Sequence, residues 1–299
     1  MPSYRMILAY DGTEFWGSQI QPRRRTVQGE LERVLAEIAG EPVRTTFGGR
    51  TDRGVHAVGQ VVAVDLRSWR NTAVELQRAL AARLPCDVAA YDLVGCLDTF
   101  HPRFDAHWRE YRYWVAPGVV SPFVQRYGWT PRAETDVGAM AAAAEWLVGT
   151  YDFASFAGGG EGVPWSERAR RPQGTTRTIF RCDCRPETVR VGPGTDRRVG
   201  VIQIAVAADS FLPRMVRNIV GALVEVGQGR REPGWIAEVL AKRDRRYGSV
   251  LAPAQGLTLH HIAYDMFHFD RSESDDTGAG ARKPKERQHG AAHVVAEAG

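Results

Sequence analysis

"VRTTFGGRTDRGVHAVGQVVAVDL", residues 43–66, sets two apolar segments on either side of a glycine-rich turn. The segments read as strands near 42–48 and 60–66. Between them lies Asp52, flanked by Arg50 and Arg53, with Gly48, Gly49 and Gly54 baring the backbone. A phosphate cradle has no use for the acid, and a plain surface turn does not need both arginines. The surrounding chain has to say which chemistry wants an ionised carboxylate there.

Reading outward, "YRMILAY" (4–10) is a strand, and Thr26 caps a helix carrying Val27, Leu31, Val34, Leu35 and Ile38 at helical spacing. After the two strands, Asn71 caps a second helix with Val74, Leu76, Ala79, Leu80 and Leu84, and a strand follows near 87–95. That order, β-α-β-β-α-β, is the ferredoxin-like split unit. The second half repeats it. "REYRYWVA" is a strand, Thr135 opens a helix, and two strands flank "GPGTDRR". An apolar helix then runs from about 212 to 226, a further helix begins after Pro233, and a last strand covers 260–268. The fold expected is α+β, with two ferredoxin-like halves whose antiparallel sheets join beneath a central cleft. The halves are residues 1–104, with the Asp52 turn, and 105–270. Residues 271–299, rich in Ser, Asp, Gly and Ala without periodicity, read as a disordered tail.

Composition narrows the function classes. The 299 residues are 43% hydrophobic, enough for a sizeable core, and the net charge is +4. Lysine occurs only at Lys242, Lys283 and Lys285, so arginine supplies nearly all the cations. Arginine bonds phosphate in bidentate fashion and stacks on bases, which makes nucleic acid a reasonable partner. "MPSYRMILAYDG" has no charged-then-apolar leader, and no apolar run approaches the ~20 residues of a membrane span, so a cytoplasmic protein is expected. The cysteines Cys86, Cys96, Cys182 and Cys184 form neither a disulfide framework nor a zinc pattern. Cys182 and Cys184 would share one strand face. His56 and His101 have no evident metal partners.

Several segments together resemble one family: "AYDGTEFWGSQIQ" with "TVQGELERVL", "GGRTDRGVHAVGQVV", "FHPRFDAHWREYRYWV", "DFASF", "SFLPRMVRNIVGALVEVG" and "APAQGLTL". They are similar, in order and spacing over roughly residues 4–266, to the TruA family of tRNA pseudouridine synthases. "GRTD-GVHA" followed by "FLP-MVRNIVG" is specific, whereas "YDGT" alone would be weak. The resemblance implies the pseudouridine synthase fold and an isomerase that cleaves the N1–C1′ bond of uridine, rotates the uracil and rejoins it through C5.

The family's essential aspartate maps onto Asp52. A carboxylate there can attack an electrophilic carbon or take a proton from the ribose, and nearby arginine favours a charged acid. The resemblance places Arg50 and Arg217 close to it. Arg217 also interrupts the apolar run "MVRNIVGALV", and a guanidinium on a buried helix needs a partner or a route to solvent. Tyr111 matches the active-site tyrosine, although Tyr113 shares its strand face and the residues alone do not choose between them. Leu257 matches an apolar residue that packs on the target base. Arg53 stands where the family has a small residue and reads as a phosphate contact or a surface residue, not a catalytic one; Ser18 stands where the family commonly has tryptophan, so packing there should differ.

Arg23, Arg24 and Arg25 lie in the loop before the first helix, suited to gripping an RNA backbone. The resemblance implies a tRNA substrate modified at about positions 38–40 of the anticodon arm, and action as a homodimer. Residues 157–177 exceed the family's usual length and read as an RNA-contacting or disordered loop. Neither metal nor cofactor is expected, because no ligand cluster has the spacing and the isomerisation is redox-neutral. Two other readings stand beside this one. Tandem ferredoxin-like units also build RNA-binding modules without catalysis, and a carboxylate hydrolase would cut glycosidic bonds but usually needs two acids.

Overall fold

β1 (Ser3–Tyr10) buries alternate residues Tyr4, Met6, Leu8 and Tyr10, as a strand covered on one face should. The computed structural model describes residues 3–119, 121–158 and 174–265. Most of the 157–177 segment and all of the 271–299 tail lie outside these.

α1 (Val27–Ala39) follows β1. Thr26 accepts a hydrogen bond from Gly29 N, and the helix ends at the left-handed Gly40. β2 (Thr45–Phe47) and β3 (His56–Asp65) come next. α2 (Ala73–Arg83) is capped by Thr72 rather than Asn71, because Glu75 reaches back to Thr72 N and completes a capping box. β4 (Val88–Cys96) closes the first half. The second half begins with β5 (Trp108–Val115), the short α3 (Pro122–Tyr127) and α4 (Val137–Glu145). Asp136, not Thr135, caps α4, since its carboxylate accepts from Gly138 N and Ala139 N. β6 (Gly149–Asp152), β7 (Thr176–Arg190) and β8 (Arg198–Ala208) precede α5 (Met215–Gly227). α5 starts later than its apolar run because Pro213 and the left-handed Arg214 come first. α6 (Trp235–Lys242) and β9 (Leu257–Ala263) end the described chain, with β9 beginning three residues before the expected 260.

This is a mixed α+β fold built on one nine-stranded sheet in the order β4-β1-β3-β9-β5-β8-β7-β6, with β2 also on β3. Every pairing is antiparallel except β3 with β9, which run parallel through His56–Thr258 and Ala57–Leu259. Two antiparallel sets of strands thus meet at a parallel junction. Gly59 makes it possible, because a Cβ there would sit 2.1 Å from the His260 carbonyl oxygen. One core runs along one face of the sheet, joining Met6, Leu8, Tyr113, Ile204, Val206 and Leu259 to the apolar sides of α1, α2, α4 and α5. Cys182 and Cys184 lie buried on that face of β7, and burial pushes both thiols above their ordinary range.

Candidate active site

The loop 48–55 joins β2 to β3 and is held at almost every residue. Gly48 N donates to Val61 O at 2.8 Å, and Gly48 O accepts from Arg109 at 3.2 Å. Gln60, fully buried on β3, clamps Gly49: its Oε1 accepts from Gly49 N at 3.0 Å and its Nε2 donates to Gly49 O at 2.7 Å. Arg50 O accepts from the Tyr111 hydroxyl at 3.4 Å. Thr51 N donates to Ser18 Oγ at 2.9 Å, Ser18 N donates back to Thr51 O at 3.0 Å, and Thr51 Oγ1 lies 2.8 Å from the Tyr10 hydroxyl. Ser18 has no exposed surface, so the position where tryptophan was usual is here a polar anchor. Val55 N closes the turn onto Asp52 O at 3.1 Å. A loop so satisfied presents its acidic side chain in a fixed place.

That side chain is Asp52, 46% exposed. Arg217, from the first turn of α5, brings Nη1 to 3.8 Å from Asp52 Oδ2 while only 13% exposed. Its Nε donates to Ala252 O at 2.7 Å. Burial pulls the Arg217 pKa below the ordinary arginine value, and the charge of Asp52 pulls it back. Arg50 is brought near through its carbonyl. Its side chain is exposed and makes no ion pair with Asp52.

Tyr111 and Tyr113 are both buried on the core face of β5. Tyr113 donates to Pro253 O at 2.9 Å, which ties it to the segment before β9. Tyr111 is the one whose hydroxyl reaches the Asp52 loop, and Phe211 meets its ring edge-on at 5.1 Å between centroids. Burial raises both phenols well above their ordinary range, so both are neutral at physiological pH. Leu257 pairs with Tyr113 across β9 and β5 and is buried beside this cluster.

The arginine loop divides. Arg23 is exposed with a left-handed backbone, and Arg24 lies over the Trp16 ring. Arg25 instead grips Asp87 through two bonds of 2.6 and 2.9 Å, bonds Glu30 at 3.4 Å and covers Phe15. Its guanidinium is thus bonded within the fold, whereas Arg23 and Arg24 have no acidic partner among the described residues. Sequence reasoning passed over Gln60 and Arg109, which hold the loop. Buried Arg109 also donates to Arg103 O and Asp209 O, and an arginine at an inward strand position was the available signal.

A cavity of about 560 Å³ opens on the other face of the sheet, where Arg112, Trp114, Thr258 and His260 point. Asp11 and His56, which line it, are occupied. Asp11 accepts from Thr13, Arg126 and Tyr127, while His56 accepts from Gly12 N and lies 3.1 Å from Gln255 O. His101 accepts from Arg103 N and Phe104 N, a turn-holding role. Among the described residues no group of three His, Cys, Asp or Glu side chains could hold a metal ion. No described helix is long and apolar enough to cross a membrane.

The chain matches the family model described as tRNA pseudouridine synthase over residues 6–105 and 143–265. It is 39% identical to tRNA pseudouridine synthase A of Thermosipho africanus over 88% of this chain and 100% of the relative. It is 42% identical to the synonymous protein of Solidesulfovibrio magneticus, over 88% and 92%, and 38% identical to that of Brevibacillus brevis, over 88% and 100%. The matched segments carry the Asp52 loop, β5 and α5 alike, and on this similarity the chain belongs to the TruA family of tRNA pseudouridine synthases, a family of isomerases.

Proposed function

We propose that this protein isomerises uridine to pseudouridine at about positions 38–40 of the tRNA anticodon arm, with Asp52 as the essential carboxylate. The observation that carries the reading is the exposed Asp52 on a clamped loop, faced by the half-buried Arg217. A uridine stacked in a stem is out of reach, so the target base is flipped toward Asp52. The N1–C1′ bond breaks, the uracil rotates and C5 bonds to C1′. The C5 proton leaves and N1 takes one up, so the reaction is redox-neutral and asks for neither metal nor cofactor.

Arg217 holds the carboxylate's charge and position. Tyr111 serves as a neutral phenol, a stacking surface and a donor, and Leu257 packs the base from the β9 side. Arg50 supplies its carbonyl to the loop and its exposed side chain to the substrate, and Arg23 and Arg24 grip the RNA backbone. The strand sets β4-β1-β3-β2 and β9-β5-β8-β7 each follow one order, which supports reading residues 1–104 and 105–270 as two ferredoxin-like halves. The family resemblance supports action as a homodimer in the cytoplasm.

The test is turnover of unmodified tRNA carrying tritium at C5 of uridine, without added metal or cofactor. Tritium should pass to water and pseudouridine should map to about positions 38–40. Release of free uracil would replace this reading with a hydrolase, and binding without turnover with an RNA-binding module.

A further inference from the structure

Gly17 takes a φ of +101°, and a Cβ there would lie 2.8 Å from Thr51 O. Its lack of a side chain lets residues 16–18 run against residues 51–53 at backbone contact. Trp16 is fixed in that approach: its N–H donates to Arg25 O at 2.9 Å, and its carbonyl accepts from Gln21 Nε2 at 2.6 Å. One indole is thereby placed beside both the arginine loop and the Asp52 turn.

Two guanidinium groups stack on it. The central carbon of Arg24 lies 3.7 Å from the Trp16 ring centroid, and that of Arg53 lies 3.8 Å from it. Both distances are within packing contact, so one indole carries two cationic groups. Both arginines are exposed, and neither has an acidic partner among the described residues. Cation–π attraction holds each in place, yet the pair repels until an anion shares them. A guanidinium held against a ring without an acidic partner keeps N–H groups for the paired bonds that a phosphate accepts.

We propose that Arg24 and Arg53, both packed against Trp16, bind a backbone phosphate of the RNA strand flanking the nucleotide at Asp52. Arg53 is the next residue after Asp52, about 3.8 Å away along the chain. A phosphate held there belongs to the target nucleotide or its immediate neighbour, so the clamp sets the register in which a uridine reaches the carboxylate. The inference rests on the isomerase reading for its substrate.

The experiment uses the full chain and an anticodon stem-loop RNA in which the phosphates around the target uridine are replaced singly by neutral methylphosphonate. Wild type should lose about tenfold in affinity at one flanking position, in keeping with a charge-assisted contact. Arg53→Ala and Arg53→Gln should bind the natural RNA about as weakly and be insensitive to that replacement, as a coupled pair requires. Each arginine removed should lower the slope of log K against log salt by about 0.7 to 0.9. Unchanged slopes, or variants still sensitive at the same phosphate, would overturn the clamp. A lowered melting temperature with an unchanged slope would make the stack an internal staple and overturn it equally. Wild-type turnover of the natural RNA is scored separately, so failure of the isomerase reading and failure of the clamp are read independently.

Discussion

Arg217 Nη1 stands 3.8 Å from the Asp52 carboxylate while Nε of the same guanidinium donates to Ala252 O at 2.7 Å. One planar fork thus anchors itself on the backbone and turns its outer edge to the acid. The geometry separates what holds the fold from what is free to react. Arg217 is bonded and half-buried, whereas Asp52 is open to a substrate.

Asp52→Asn should abolish isomerisation and leave stability almost unchanged. The carboxylate makes no hydrogen bond among the described residues, and its only ion pair is the long one to Arg217. An amide keeps the shape but neither attacks carbon nor accepts a proton readily. Tritium release and thermal unfolding, measured side by side, should show activity below detection and a stability change within about 0.5 kcal/mol. Substantial turnover by the variant would remove Asp52 from the chemistry.

Arg217→Lys keeps the charge and loses the fork. An ammonium cannot hold Ala252 O and face Asp52 in the same fixed arrangement. The single-turnover rate should fall about a hundredfold, the scale of losing one preorganised charge contact, with RNA affinity little changed. A lysine variant as fast as wild type would show that charge alone suffices.

These two residues were legible in the sequence for different reasons. Asp52 stood out as an acid between arginines in a glycine-rich turn, and Arg217 as a guanidinium in an apolar run. Most of the element order was legible too, because apolar spacing marks the longer strands and helices, whereas the short α3 and β6 were not read. Cap positions were off where a neighbour decides them, as Glu75 does for Thr72 and as the Asp136 carboxylate does for α4. The parallel β3–β9 junction joins Ala57 to Leu259, a pairing that no local pattern encodes. Arg24 and Arg25 look alike in sequence, and only Asp87, distant along the chain, separates them. Gln60 read as the polar start of a strand that in fact begins at His56.

Gln60→Leu tests whether the clamp on Gly49 matters to the chemistry. The substitution strands a backbone donor and acceptor, which should cost about 1–3 kcal/mol in urea unfolding. The single-turnover rate should fall as well, because Asp52 lies three residues beyond the clamped glycine. A stability loss with an unchanged rate at saturating enzyme would mean that the remaining anchors, Ser18 and Tyr111, fix the loop without it.

Asp11 gives a pH signature. Burial by itself would raise its pKa, but donors from Thr13, Arg126 and Tyr127 outweigh it and hold the carboxyl at about 2. A folded pKa below the unfolded value means that stability is present above about 4 and lost as pH falls toward 2. Asp11→Asn should therefore be less stable than wild type at pH 7, by about 1 kcal/mol once solvent screening of a partly exposed group is allowed for. The gap should close between about pH 4 and pH 2. A gap that persisted unchanged to pH 2 would show that the donors hold the neutral side chain equally well.

Arg25 and its neighbours should part company when each is replaced by alanine. Arg25 spends Nη1 and Nη2 on Asp87 and Nε on Glu30, and only 35% of its side chain is exposed. Removing it should lower stability by about 1 kcal/mol, the upper end for a partly exposed pair. The salt dependence of RNA binding should not change, because Asp87 and Glu30 already balance its charge. Arg23→Ala and Arg24→Ala should do the reverse, leaving stability near wild type and lowering the slope of log K against log salt by about 0.7 to 0.9 each. Unfolding curves and salt titrations on the three single variants separate the cases. A slope change for Arg25→Ala as large as for Arg24→Ala would mean that the guanidinium exchanges Asp87 for a phosphate when RNA arrives. The 2.6 Å bond to Asp87 would then be a contact of the free protein only, and the loop would rearrange on binding.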